Sequence, residues 1–328
     1  MKVLIIGGAG MIGRKLAQRL AKDGRLAGKP ISKLTLYDVV PAAAPAGAAM
    51  AVSLATGDLP AAGEADRLLA DRPQVIFHLA AIVSGEAEQD FDKGYLINMD
   101  GTRSLLEAVR KAGHKPRLVF ASSIAAFGAP FPEAIGDEFF ASPLTSYGTQ
   151  KVIGELLVGD YSRKGFLDGI SIRLPTICVR PGRPNKAASG FFSNIMREPL
   201  AGEEAVLPVS ESVMHWHASP RTAVGFMLHA ASLDLDRLGW RRALTMPGLA
   251  VTVGEQIAAL RKVAGDQAVA RIRRVPDPFL EDIVAGWPRT FAPKRALELG
   301  FRADASFEEI LRVHIEDELG GHIARGGR

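Results

Sequence analysis

Hydrophobic positions along the chain recur with two periods that take turns. Residues 3–6 form a short apolar run rich in β-branched side chains, the pattern of a strand buried on both faces. Past the glycines that follow, the period lengthens, and Met11, Ile12, Leu16 and Leu20 share one face of a helix. Strand-like runs return at residues 33–37, 50–55, 74–79, 117–121 and 170–174. Helical patterns separate them, a long one over residues 86–112 with Leu105, Leu106 and Val109 on one face, and another beginning near Ser146. This alternation predicts an α/β fold with a doubly wound parallel sheet and helices on both faces.

The alternation loosens after residue 174. Residues 41–49 are a low-complexity connector, and residues 178–186 are rich in proline and arginine, which reads as a loop or a crossover into a smaller lobe. Ser219 and Pro220 open a helix whose buried face carries Val224, Met227 and Leu228. That helix is expected to return to the first domain. A strand-like run at 244–248, a helix over 252–264 and a basic strand at 271–275 follow. The last helix begins at Ser306, with Glu309 completing its capping signal, and the tail from residue 322 is expected to fray. The expected division is residues 1–177, joined by 216–240, as the first domain. Residues 178–215 and 241–328 form an interleaved C-terminal substrate lobe.

Composition narrows the class. At 328 residues, with 47% hydrophobic and 23% charged side chains, the chain can bury a large core in water. The net charge is +4 with scattered Lys and Arg, so nucleic acid is not an expected partner. Cys178 is the single cysteine, which rules out an intrachain disulfide and suits a reducing compartment. The first apolar run is too short for a signal peptide, and the longest, residues 75–83, is too short to span a bilayer. A cytoplasmic protein without membrane contact is expected.

Candidate chemistry begins at the first turn. Gly7, Gly10 and Gly13 sit between a strand and a helix, the context of a dinucleotide-binding turn. The first permits the turn, the second lets backbone approach a pyrophosphate, and the third lets helix and strand pack closely. The amides around Met11 and Ile12 would meet the phosphates at the positive end of the helix. An ordinary glycine-rich turn is the plainer alternative. Asp38, ending the second strand, suits ribose hydroxyls and repels a 2′-phosphate, which selects NAD, though it could be a turn residue. Asp58, beside Leu59, either reaches the adenine or caps the helix expected near Pro60. Leu79, Ala80 and Ala81 end the fourth strand with side chains mostly small enough for a cofactor to lie against the backbone, and Ser84 follows within reach of a substrate. The long helix carries Asn98.

The fifth strand runs into Ser122 and Ser123, and Tyr147 with Lys151 follows on a helix. Spacing of four puts the phenol and the ammonium on one face, a turn apart. A free phenol holds its proton to about pH 10, so a base useful near neutrality needs roughly 3–4 kcal/mol of help, which a nearby ammonium supplies. A serine hydroxyl at the strand end would hold the substrate oxygen.

Taken in order, Gly7-x-x-Gly10-x-x-Gly13, Asp38, residues 78–81 (HLAA), Asn98, Ser123, Tyr147-x-x-x-Lys151 and residues 173–176 (RLPT) resemble the extended short-chain dehydrogenases/reductases of the NAD-dependent epimerase/dehydratase type. The resemblance covers residues 1 to about 185. It implies a Rossmann domain, Ser123, Tyr147 and Lys151 as the catalytic set, and Pro175 and Thr176 beside the nicotinamide. It also implies that Asn98 lies at the cofactor site and supports a proton relay, a surface or helix-bending role being the plainer alternative. A homodimer built on the helices carrying Asn98 and Tyr147 is implied as well. Apolar Ile124, Ala125 and Ala126 after the serine lack the acid of sugar dehydratases, and Ala125 and Phe127 depart from the epimerases. Residues 173–220 are similar to the D-erythronate dehydrogenases of this superfamily, which implies oxidation of a small anionic four-carbon sugar acid at C2. Arg183, then Arg180 and Lys186, are candidate clamps for its carboxylate, or a solvated basic turn. A nucleotide-sugar epimerase is the runner-up, and a non-catalytic NAD sensor a third reading. His215 and His217 could suggest a metal, but no third ligand accompanies them, so a pocket or structural role is expected.

Overall fold

The computed structural model describes residues 1–182 and 188–324. Its organising element is a seven-stranded sheet in which every pairing is parallel. From one edge the strands are Ala243–Thr245, Asp168–Leu174, Arg117–Ser123, Val75–His78, Lys2–Ile6, Lys33–Asp38 and Ala51–Thr56. Chain order reverses beside Lys2–Ile6, which places a crevice at the carboxyl ends of the central strands. This is the Rossmann arrangement. Its central strands are sealed on both faces, with Leu4, Ile5, Ile6, Ile76 and Phe77 fully buried, each contributing about 1.5–3 kcal/mol by leaving water.

The chain forms two compact units. The first comprises residues 1–126, 141–174 and 224–245, and the second residues 127–140, 175–223 and 246–328 as far as they are described. These boundaries differ from the expected ones at four places, one being residues 175–177, which fall in the second unit. Residues 127–140 belong to the second unit, where Ile135–Gly136 pairs with Phe291–Ala292. Residues 216–223 also stay there, because the Met214–Ala218 strand is paired with Thr176–Ile177 and Leu249–Thr252. Ala243–Thr245 instead joins the first unit by adding a seventh strand beside Asp168–Leu174. The second unit has its own core around Phe192, Ile195, Met196, Leu260, Ile310 and Leu311.

The long helix expected over residues 86–112 is broken. A helix over Ser84–Gln89 stops at Asp90, whose backbone leaves helical geometry and whose carboxylate accepts from the Lys93 amide at 3.1 Å. A turn at Phe91–Gly94 leads into a π-helical segment, Tyr95–Asp100, and regular helix resumes over Gly101–Ala112. The wide turn turns Asn98 inward, and it is buried. The helix expected near Pro60 begins later, at Glu64 with Gly63 at its cap, so Asp58 does not cap it.

Candidate active site

Glycine is demanded at the first turn by its neighbours. Gly7 has φ +95°, and a Cβ there would lie 2.7 Å from the Ala80 amide nitrogen. A Cβ at Gly13 would lie 2.0 Å from the Gly7 carbonyl oxygen, so the Met11–Asp23 helix rests directly on the turn. Gly10 is that helix's cap and has no side chain to satisfy the first amides, which stay available with the positive end of the helix. The neighbouring strand supplies the acid. Asp38 Oδ2 accepts from the Ala9 amide at 2.9 Å and Oδ1 from the Val39 amide at 2.8 Å. Each oxygen keeps a further lone pair for a hydroxyl donor. A cradle that only glycine fits, open amides and a fixed carboxylate together suit the pyrophosphate and ribose of a dinucleotide. Asp58 is exposed and Leu59 buried near the end of Ala51–Thr56.

Leu79 and Ala80 leave the Val75–His78 strand with both amides donating to the Ile6 carbonyl, at 2.8 and 3.0 Å. Asn98 reaches this loop two residues past Ala80. Its Oδ1 accepts from the Ile82 amide at 2.9 Å, and its Nδ2 donates to the Ile82 carbonyl at 3.3 Å and to Gln150 Oε1 at 2.8 Å. Both amide protons are therefore engaged within the protein. Ser84 starts the next helix, half-buried.

Tyr147 and Lys151 ride on the helix Ser146–Arg163, which packs on the Arg117–Ser123 strand. Thr145 caps it, accepting from the Gly148 amide at 3.1 Å. Glycines set the close approach: a Cβ at Gly148 would lie 2.2 Å from the Ala125 carbonyl oxygen, and one at Gly154 would lie 2.6 Å from the Phe120 ring. The first turn of the helix is thereby pressed against the strand end that carries Ser123, whose Oγ accepts from the Ala125 amide at 3.1 Å. Lys151 is buried, its Nζ donating to the Ala121 carbonyl at 2.8 Å and lying 5.6 Å from the Tyr147 ring centre and 5.0 Å from that of Phe120. Burial lowers its pKa to about 8, and the Glu155 carboxylate one turn on opposes the fall. Chemically this is a tyrosine with an ammonium poised at its ring, beside a serine at a strand end.

Sequence reading missed what lies behind this set. Glu155 is buried with Arg173, which donates to it at 2.8 and 2.6 Å, and Ser122 donates to it at 2.5 Å. The available signal was Glu155 four residues after Lys151, an acid on the inward face of a helix.

The remaining candidates lie in the second unit. Pro175 is buried and Thr176 half-buried. Thr176 Oγ1 lies 2.7 Å from His215 Nε2, while His215 Nδ1 faces the Pro288 carbonyl at 3.0 Å. A carbonyl only accepts, so Nδ1 carries the proton and Nε2 accepts from the threonine hydroxyl. Burial lowers His215 to about 4 and His217 well below its ordinary value, so both imidazoles are neutral. They pack around the Phe192 ring as core residues. Arg180 is fixed by its neighbours, Nε donating to the Ile177 carbonyl at 3.1 Å and Nη2 to Ser189 Oγ at 2.9 Å. Arg183 and Lys186 lie outside the described residues. Among the described residues, no helix is long and apolar enough to cross a membrane.

Residues 3–217 match the model of the NAD dependent epimerase/dehydratase family. The chain belongs to that family. It is an NAD-dependent oxidoreductase. It is 47% identical over 322 residues to a D-erythronate dehydrogenase of Cupriavidus necator, covering 97% of this chain and 98% of the relative. A second D-erythronate dehydrogenase, from Haemophilus influenzae, is 44% identical over 325 residues, 97% and 100% of the two chains. Among solved structures, one from Agrobacterium tumefaciens described as a nucleoside-diphosphate-sugar epimerase is 65% identical, with a TM-score of 0.96 over 99% of this chain and 96% of that one.

Proposed function

We propose that the enzyme oxidises a four-carbon sugar acid, D-erythronate or a close relative, at C2 to the 2-oxo acid. Bound NAD supplies the hydride acceptor. Tyr147 takes the C2 hydroxyl proton as the C2–H bond breaks and the carbonyl forms. Ser123 holds that oxygen in line, and the Lys151 ammonium stabilises the phenolate. Gly7, Gly10, Gly13, Met11, Ile12 and Asp38 hold the dinucleotide, with Asp58, Leu59, Leu79, Ala80, Ala81, Pro175 and Thr176 along its length. A cation from Arg180, Arg183 and Lys186 meets the substrate carboxylate, and Ser84 meets a hydroxyl. The observation that carries the reading is the Tyr147–Lys151 pair pressed by Gly148 against the Ser123 strand end. It stands in a chain alike over nearly its full length to two sugar-acid dehydrogenases.

A nucleotide-sugar epimerase is the second reading, favoured by the description of the 65% identical structure. One assay separates them: NADH absorbance followed with erythronate, threonate and related acids, beside epimerisation of UDP-sugars. NADH formed with a four-carbon acid supports the dehydrogenase. Silence with every acid together with a turned-over UDP-sugar assigns the epimerase instead.

A homodimer is part of the proposal. Phe91, Leu96 and Leu156 are 58%, 48% and 68% exposed on segments that pack around one another, an apolar face suited to a second copy. Light scattering at micromolar concentration tests it, and a monomer there contradicts it.

A further inference from the structure

Four buried polar side chains outside the catalytic set form one continuous chain of hydrogen bonds. They are His78, Thr102, Asn98 and Gln150. The chain starts at the end of the Val75–His78 strand. Thr102 Oγ1 lies 2.7 Å from the Asn98 carbonyl and 2.8 Å from His78 Nε2. A hydroxyl has one proton, and the carbonyl can only accept it, so toward the imidazole the threonine is the acceptor. His78 therefore carries its proton on Nε2. Burial supports the neutral ring by lowering its pKa to about 3.

The Asn98 amide has one possible orientation, because the Ile82 amide can only donate and so must face Oδ1. Nδ2 then faces the Ile82 carbonyl and Gln150 Oε1. On the other side of Gln150 stands Gly94, where a Cβ would lie 2.7 Å from Nε2. The chain thus joins the wide turn at Tyr95–Asp100, the loop following Ala80, and the helix next to Lys151.

We propose that Thr102 and Gln150 are positioning residues for NAD binding. Thr102 with His78 fixes the backbone of the wide turn, the turn fixes the Asn98 amide, and Asn98 and Gln150 set the loop 79–82 against the glycine turn. Asn98 acts as a clamp on backbone. Its amide protons are both held by Ile82 and Gln150, which leaves its side chain no donor to pass onward. The inference rests on the glycine turn as the NAD site.

The test uses the full-length protein without substrate. Thr102→Val keeps the shape and removes the hydroxyl, Thr102→Ser restores it, and Gln150→Leu removes the acceptor at the far end. Each is titrated with NAD by calorimetry, and amide hydrogen exchange is followed for the peptide spanning 79–84. Thr102→Val and Gln150→Leu are expected to weaken NAD about tenfold and to speed exchange in that peptide. Thr102→Ser is expected to stay within about threefold of the parent protein. Parental NAD affinity in Thr102→Val, whatever its melting temperature, overturns the proposal. So does a serine variant as weak as the valine one. If Thr102→Val does not fold, Gln150→Leu decides alone, and parental affinity there overturns it. Asp38→Ala is titrated alongside: parental affinity in that variant counts against the placement of the cofactor, separately from the polar chain.

Discussion

Replacing Glu155 with glutamine tests how Lys151 keeps its charge inside the protein. Glu155 and Arg173 have side chains only 5% and 14% exposed, joined by two short hydrogen bonds, and Ser122 adds a third. Glutamine keeps the shape but leaves Arg173 without its counter-charge and points two N–H groups at other donors. Breaking a buried pair on one side costs about 3 kcal/mol, at the lower end of the range because one acceptor survives. For a unit of this size that is a fall of about 6–12 °C in melting temperature. The second consequence is on activity. Lys151 sits at about 8 because burial outweighs the attraction of Glu155. Without that attraction its pKa falls further, so the ammonium is lost at lower pH and the alkaline limb of kcat/KM moves down. Folding stability has the matching sign: between about 8 and the free lysine value of 10.5 the unfolded chain binds more protons, so stability rises with pH across that window. The assay is a thermal melt and a pH–rate profile for Glu155→Gln beside Glu155→Met/Arg173→Met. The double variant should recover most of the melting temperature, since an apolar pair replaces the ionic one, while its alkaline limb stays low. An unchanged alkaline limb in both, or a Glu155→Gln melt within about 2 °C of the parent, would refute the reasoning.

Three further outcomes follow from the same geometry. Tyr147→Phe should cut turnover by about 10²–10⁴ while NAD affinity stays within about threefold, and a variant that keeps its turnover removes the phenol from the reaction. Gly13→Ala must push the helix start off the Gly7 carbonyl, a strain of about 1–3 kcal/mol, so NAD should bind about 5–150-fold more weakly by calorimetry. Burial pushes the Cys178 thiol up to about 12, so the native protein should resist iodoacetamide at pH 8 while the urea-unfolded chain is alkylated, and rapid labelling of the native form contradicts the assigned burial.

Much of the first unit was legible because its signals are local. The buried strands announce themselves as apolar runs, and the glycines at 7, 10 and 13 meet backbone where the turn requires it. Tyr147 and Lys151 share a face by spacing alone. The break in the helix near residue 90 was not legible, because helix-forming residues continue on both sides of Asp90 and the wide turn is settled by tertiary partners such as Gln150 and Ile82. Thr102, Gln150 and Glu155 were missed, and His78 was read only as part of the 78–81 motif, for a related reason. Each is polar and buried through partners 18 to 52 residues away, which no window along the chain contains. Ala243–Thr245 has only three residues, and its place beside Asp168–Leu174 is fixed by pairing across 72 positions, from Ser171 to Ala243.

The central claim, that a C–H and an O–H bond at one carbon of a small sugar acid break together under Tyr147, is tested most directly with D-erythronate carrying deuterium at C2. The enzyme and NAD are incubated with it, and the reduced cofactor is weighed by mass spectrometry. The account predicts one deuterium in each molecule of reduced cofactor, with the 2-oxo acid accumulating in equal amount. Reduced cofactor without deuterium, or none formed while a UDP-sugar is epimerised, would contradict it.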